Sequence, residues 1–154
     1  MKQSIKIIIS ILIPLIVGGV SGAITASEIP NWYLTLNKPS FNPPNYLFGP
    51  VWTTLYILMG ISWYLVSKAA SEQKTRLLII YILQLILNFL WSIIFFGFHA
   101  PFMALIEISL LWIAILMMII NFYKQNKTAG LLQIPYLLWV SFATTLNFAI
   151  WQLN

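Results

Sequence analysis

Five long apolar runs constrain this chain more than any other feature. They cover about residues 5–26, 46–67, 76–97, 101–122 and 129–151. A helix of ~20 residues crosses the hydrocarbon core of a bilayer, and each run is long enough. Inside hydrocarbon every backbone amide and carbonyl needs an internal partner, so only helices and closed barrels can span. The runs lack strand-type alternation, which argues against a barrel. The expected fold is therefore an all-α membrane protein, one domain over residues 1–154 with five transmembrane helices. Only 7% of the residues are charged, against roughly 25% in soluble domains. Lys2 and Lys6 precede the first run as in a signal peptide. Its length and the four runs behind it favour a retained helix.

Composition also removes several chemistries. There is no cysteine, hence no disulfide, thiolate nucleophile or iron–sulfur cluster. The single histidine, His99, excludes a multi-histidine metal site, and its place in a short connection reads as a loop residue rather than a haem ligand. No metal is expected. The formal charge of +5 does not point to nucleic acid. Lys2, Lys6, Lys68, Lys74, Arg76, Lys124 and Lys127 share one face of a five-span topology, and Lys38 alone lies on the other. Positive residues stay inside, so the N-terminus is expected inside, and the C-terminus and the long first connection outside.

That connection is unusual. Five of the eight prolines fall between Pro30 and Pro50. Pro39, Pro43, Pro44 and Pro50 each fix a torsion and remove a donor, and each pushes its preceding residue out of the helical region. Residues 31–45 thus read as a stiff, partly extended loop. Trp32, Tyr33, Phe41, Tyr46 and Phe48 give it an apolar underside with polar tips, suited to the membrane interface. Two readings stand: a proline-stiffened interfacial loop, or a lid over a pocket between helices.

Polar and small residues mark the bundle interior. Gly18 and Gly22 form a small-xxx-small pattern, read either as close packing within the bundle or as a dimer seam. Trp52, Tyr56, Gly60 and Trp63 share a stripe on the second span. Gln84, Asn88 and Trp91 share one on the third, where uncharged polar side chains seek interhelical bonds or a ligand. Glu107 in the fourth span is costly unless paired or protonated. It is expected to be neutral, to bond a neighbouring helix or to reach for the interface, in a structural role. Trp139, Ala143 and Asn147 share a stripe on the fifth span, which Pro135 is expected to kink. At ~1.5 Å of rise per residue, Trp52 lies about 9 Å below the outer end of its span, and Asn88 and Ala143 lie at about 12–14 Å. Trp139 lies nearer the midplane and Asn147 higher. These depths converge beneath the loop on a mostly apolar pocket with one or two amides, the usual form of a small-molecule site. Indole rings there suit a flat, hydrophobic ligand.

The same residues belong to longer patterns. W-Y-x-x-L-x-K-P-x-F-x-P-P runs from Trp32 to Pro44, and F-G-P-V-W-T-x-L-Y from Phe48 to Tyr56. Q-L-x-L-N-x-x-W-S-x-x-F-F occupies 84–96, and P-Y-L-x-W-V-x-F-A-x-x-L-N-x-x-I-W occupies 135–151. Together they resemble the TspO/MBR family, that of the translocator protein or peripheral-type benzodiazepine receptor. The resemblance implies a five-helix bundle, often a homodimer, that binds porphyrins such as protoporphyrin IX and synthetic isoquinoline carboxamide or benzodiazepine-type ligands beneath the 27–45 loop. Carried over by motif position, the ligand-binding residues are Tyr33, Pro43, Trp52, Asn88, Trp139, Ala143 and Asn147. A porphyrin would be the ligand, with no cofactor required.

The resemblance also implies three functions. Binding or sensing ranks first. Light- and oxygen-dependent porphyrin degradation ranks second, with Trp52 and Trp139 as the redox partners of the photoexcited ring. Tetrapyrrole transport ranks third, because five spans do not divide into two equal repeats. No catalytic acid, base or metal set falls in the pocket, so a conventional enzyme is not expected. Animal members carry a cholesterol motif beyond the fifth helix. No Lys or Arg follows Lys127 here, so cholesterol transport is not expected and a bacterial cell membrane is the expected location.

Overall fold

Prolines and short polar clusters set the helix boundaries. The structure is a computed structural model that describes residues 3–68 and 72–154, so Lys2 lies outside the described residues. Helix α1 (Gln3–Glu28) ends two residues before Pro30. A single turn, α2 (Trp32–Thr35), precedes the proline-rich extended segment. A 3-10 turn over Asn45–Leu47 leads into α3 (Phe48–Ser67), with Pro50 in its first turn, where its missing donor costs nothing. Helix α4 (Lys74–Ser92) continues as a π-turn over Ile93–Gly97, and α5 (Pro101–Gln125) opens on Pro101. Helix α6 (Lys127–Leu131) is capped by the Asn126 side chain, which accepts from the Ala129 amide at 3.0 Å. Helix α7 (Ile134–Leu153) completes the chain.

No strand occurs among the described residues. Five helical units are long and apolar enough to span, over 3–28, 45–67, 74–97, 101–125 and 127–153. The fold is the expected five-helix membrane bundle, with helix ends displaced by a few residues.

Three local features depart from the sequence expectations. The fifth span is broken rather than kinked. It stops at Leu131 and restarts at Ile134, with Pro135 in the first turn of α7. The break gains partners on α3: Gln133 Nε2 donates to the Leu58 carbonyl at 3.1 Å, and the Ser62 hydroxyl donates to the Ala129 carbonyl at 2.6 Å. The third span widens into its π-turn, closed by the Phe98 amide on the Ile93 carbonyl at 2.9 Å, and Phe95 and Phe96 are buried there. The proline loop holds a helical turn at its start and is tied down. The Asn37 amide donates to Asn154 Oδ1 and Asn154 Nδ2 donates to the Asn37 carbonyl, both at 3.0 Å. The Tyr33 hydroxyl donates to Asn42 Oδ1 at 2.7 Å.

With the end that carries the proline-rich loop called outer, packing differs between the two halves of the bundle. The inner half is solid. Trp63 stacks on Tyr81 at 5.0 Å, Phe122 lies 6.2 Å from Tyr81, and Met59, Ile115 and Met118 are fully buried around them. Helix α1 reaches α3 there because Gly60 has no side chain: a Cβ would run into the backbone of Ser10 and Ile11. One step outward, a Cβ on Gly18 would fall inside the Tyr56 ring. Gly18 therefore serves packing within the bundle. Gly22 does not, since a Cβ there meets nothing within 4 Å. At the outer end α1 leans the other way. Glu28 Oε2 pairs with His99 Nε2 at 3.0 Å, and the His99 ring stacks on Trp32 at 4.4 Å. His99 takes a left-handed φ of 52°, which lets the short α4–α5 connection turn.

Gly18→Ala and Gly60→Ala should each lower stability by about 1–3 kcal/mol through overpacking, whereas Gly19→Ala, with open space at its Cβ, should be near neutral. Unfolding in detergent measures this, and an equal response of all three would contradict the packing.

Candidate functional site

Above the solid half the helices part around a cavity of about 320 Å³. Its walls come from α1, α3, α4 with its π-turn, and α7. Helix α1 supplies small residues, Gly18, Gly19, Gly22 and Ala26; α3 supplies Phe48, Trp52 and Tyr56. Asn88, Trp91, Phe95 and Phe96 face in from α4 and the π-turn, and Trp139, Phe142, Ala143 and Asn147 from α7. Tyr33 contributes from the loop.

A chain of polar groups braces the bundle beside the cavity. The Tyr56 hydroxyl donates to Asn88 Oδ1, Asn88 Nδ2 donates to the Tyr136 hydroxyl at 3.0 Å, and that hydroxyl donates to Gln84 Oε1 at 3.0 Å. Three helices are joined, and each donor in the chain has an acceptor, as buried polar groups in hydrocarbon require. Nearer the lid, Trp91 Nε1 donates to Asn147 Oδ1 at 3.1 Å, and Asn147 Nδ2 donates to the Pro101 carbonyl at 2.8 Å. Asn88 and Asn147 thus hold helices together while presenting polar edges to the cavity.

Of the seven residues expected at a ligand site, Tyr33, Trp52, Asn88, Trp139, Ala143 and Asn147 line the cavity together. Pro43 does not. Its carbonyl accepts from Asn42 Nδ2 at 3.2 Å, so it acts through Asn42 on Tyr33. Burial pushes the Tyr33 phenol up to about 12, the bond to Asn42 acting in the opposite sense, so the group stays a neutral donor at ordinary pH. Trp52 stacks near Tyr56 at 5.7 Å, and Trp139 packs between Phe48 and Phe142 at 6.3 and 5.5 Å. The Trp139 indole N–H has no acceptor among the described residues.

Glu107 is 7% exposed, and neither of its oxygens forms a hydrogen bond among the described residues. It bonds no neighbouring helix among the described residues, and it does not line the cavity. Gln84, fully buried, is an interhelical partner only. No group of three potential metal ligands occurs among the described residues. Sequence reasoning missed the α1 wall, the paired Phe95 and Phe96, and the role of Tyr136. The run of small residues at 18–26 was the available signal for the first.

A family model for the TspO/MBR family matches residues 10–152. The chain belongs to the TspO/MBR family. It is similar to the tryptophan-rich protein TspO of Archaeoglobus fulgidus, 44% identical over 97% of each chain. It is 40% identical to the human translocator protein over 80% of this chain and 75% of that one. It is 37% identical to the tryptophan-rich sensory protein of Cereibacter sphaeroides over 80% and 77%. As a TspO/MBR member with five spans, it is an integral, multi-pass membrane protein.

Tyr136→Phe leaves Gln84 Oε1 and Asn88 Nδ2 buried without their partner. It should lower stability by about 1–3 kcal/mol, read by unfolding in detergent; a neutral result would mean that the brace does not hold the helices.

Proposed function

We propose that this protein is a membrane receptor or sensor whose outer cavity takes a flat, hydrophobic ligand: a porphyrin such as protoporphyrin IX, or an isoquinoline carboxamide or benzodiazepine-type molecule. One observation carries the reading. The cavity is an aromatic chamber, with three indoles, several phenylalanines and the amides of Asn88 and Asn147 on its walls. Its volume of about 320 Å³ lies within the usual range for small-molecule sites, roughly 300–1,000 Å³. Apolar walls supply desolvation, and indole faces supply offset stacking. The free Trp139 N–H offers a ligand carbonyl or carboxylate a donor whose isolation costs about 1–3 kcal/mol. The bilayer is the partner that surrounds the spans, and no resident cofactor is invoked. The sensory and translocator names of the relatives agree with a ligand-responsive role.

The position of Trp52 and Trp139 on the cavity wall favours a second reading, in which a photoexcited porphyrin is broken down with dioxygen while these indoles exchange electrons with the ring.

Purified protein in detergent, titrated with protoporphyrin IX in the dark, should show saturable quenching of tryptophan fluorescence. Ala143→Phe, which fills the cavity, should weaken binding by about tenfold or more, a loss of roughly 1.4 kcal/mol or more, without loss of helical signal. No saturable quenching by the wild type would overturn the receptor reading. Under light, loss of porphyrin absorbance that Trp52→Phe/Trp139→Phe abolishes while dark binding persists would establish the second reading. Loss that the double variant leaves unchanged would remove it.

A further inference from the structure

The cavity has one exposed side. Six of its lining residues are exposed at the molecular surface, and all six lie on the facing edges of α1 and of α3 with its entering turn: Gly19, Gly22, Ala26, Asn45, Gly49 and Thr53. The lining residues from α4, the π-turn and α7 are buried or half-buried. The exposed set holds no large side chain. A Cβ placed on Gly19, Gly22 or Gly49 meets nothing within 4 Å. The one hydroxyl is satisfied within its own helix, since Thr53 Oγ1 donates to the Gly49 carbonyl at 2.9 Å. The result is a slot with small, weakly polar edges, set in the outer half of two spanning helices and facing lipid.

The slot follows from how α1 is held. In its inner half α1 is pressed against α3 at Gly60 and Gly18. At its outer end Glu28 and Trp32 draw it toward His99 on the α4–α5 connection. The two helices must splay between these points. The route over the top is shut, because the loop is tied to α7 by the Asn37–Asn154 amide pair and roofed by Tyr33.

We propose that the slot between the outer halves of α1 and α3 is the door through which a flat hydrophobic ligand passes, edge first, between the outer leaflet of the bilayer and the cavity. The proposal rests on the cavity being a ligand site. A flat ring needs a narrow opening without side chains on its edges, and Gly19 and Gly22, three residues apart on one helix face, provide one edge. A ligand that partitions into lipid then reaches the site without crossing the lid.

The test uses the full chain in phosphatidylcholine vesicles loaded with protoporphyrin IX, with quenching followed by stopped flow in the dark. Gly22→Leu narrows the slot. Association should slow by about tenfold and dissociation with it, since a door changes both rates together. Asn154→Ala, which removes both bonds to the Asn37 backbone and frees the loop, should leave both rates unchanged. The absence of native cysteine gives a second measurement that needs no bulky side chain during folding. Gly22→Cys, compared with its own unlabelled form, should slow in both directions when labelled with a benzyl thiosulfonate and recover on reduction. Unchanged rates in Gly22→Leu and in labelled Gly22→Cys would overturn the door. So would acceleration by Asn154→Ala, which places the route over the lid. A weaker Kd arising from dissociation alone would make Gly22 a wall contact and also overturn it. No quenching of the wild type overturns the cavity reading beneath it, whereas binding with unaltered rates overturns the door alone.

Discussion

Everything in this bundle depends on the brace of Tyr56, Asn88, Tyr136 and Gln84. In lipid there is no hydrophobic force to push helices together, because the tails outside are as apolar as the side chains inside. Close packing and interhelical hydrogen bonds must do it. The brace supplies three such bonds in a continuous chain across α3, α4 and α7. It marks a boundary as well. On its inner side Trp63, Tyr81 and Phe122 fill the bundle. On its outer side the helices part, and the polar edges of the brace become part of a cavity wall.

Small residues then decide which helices touch. Gly60 and Gly18 bring α1 onto α3, and beyond Gly18 the exposed residues on their facing edges are small: Gly19, Gly22, Ala26, Gly49 and Thr53, with Asn45 on the entering turn. The Glu28–His99 pair and the Trp32 stack hold the outer end of α1 against the α4–α5 connection. The lid is fastened at a different point, through Asn37 to the end of α7. Floor, side opening and roof are thus set by three separate groups of contacts, and each is open to mutation without direct damage to the others.

Much of this was legible in the sequence because hydrocarbon permits few alternatives. Long apolar runs had to be helices, and an odd number of spans puts the first connection on the same face as the C-terminus; Asn37 and Asn154 do meet there. Helical rise then placed Trp52, Asn88, Ala143 and Asn147 at similar depths, and these four share the cavity. What was not legible depends on helix rotation and on backbone departures. Gly18 and Gly22 are one turn apart and look equivalent, yet one packs on Tyr56 and the other faces open space. The π-turn that buries Phe95 and Phe96 leaves no local signature, because its cause is tertiary. Pro43 shares a motif with Tyr33 but does not line the cavity. Its carbonyl accepts from the Asn42 side chain, which in turn holds Tyr33. The Glu28–His99 pair joins residues 71 apart in sequence, beyond the reach of any spacing argument.

The central claim is that the ligand site lies in the outer half of the bundle, between α1, α3, α4 and α7. Photo-crosslinking in lipid with a diazirine-bearing isoquinoline carboxamide, followed by peptide mass spectrometry, tests it most directly. The account predicts adducts, competed by unlabelled ligand, within 18–29, 48–56, 88–96 and 139–150. Competed adducts confined to the inner half, around Met59, Tyr81 and Phe122, or to the lipid-facing surface of α5, would contradict it.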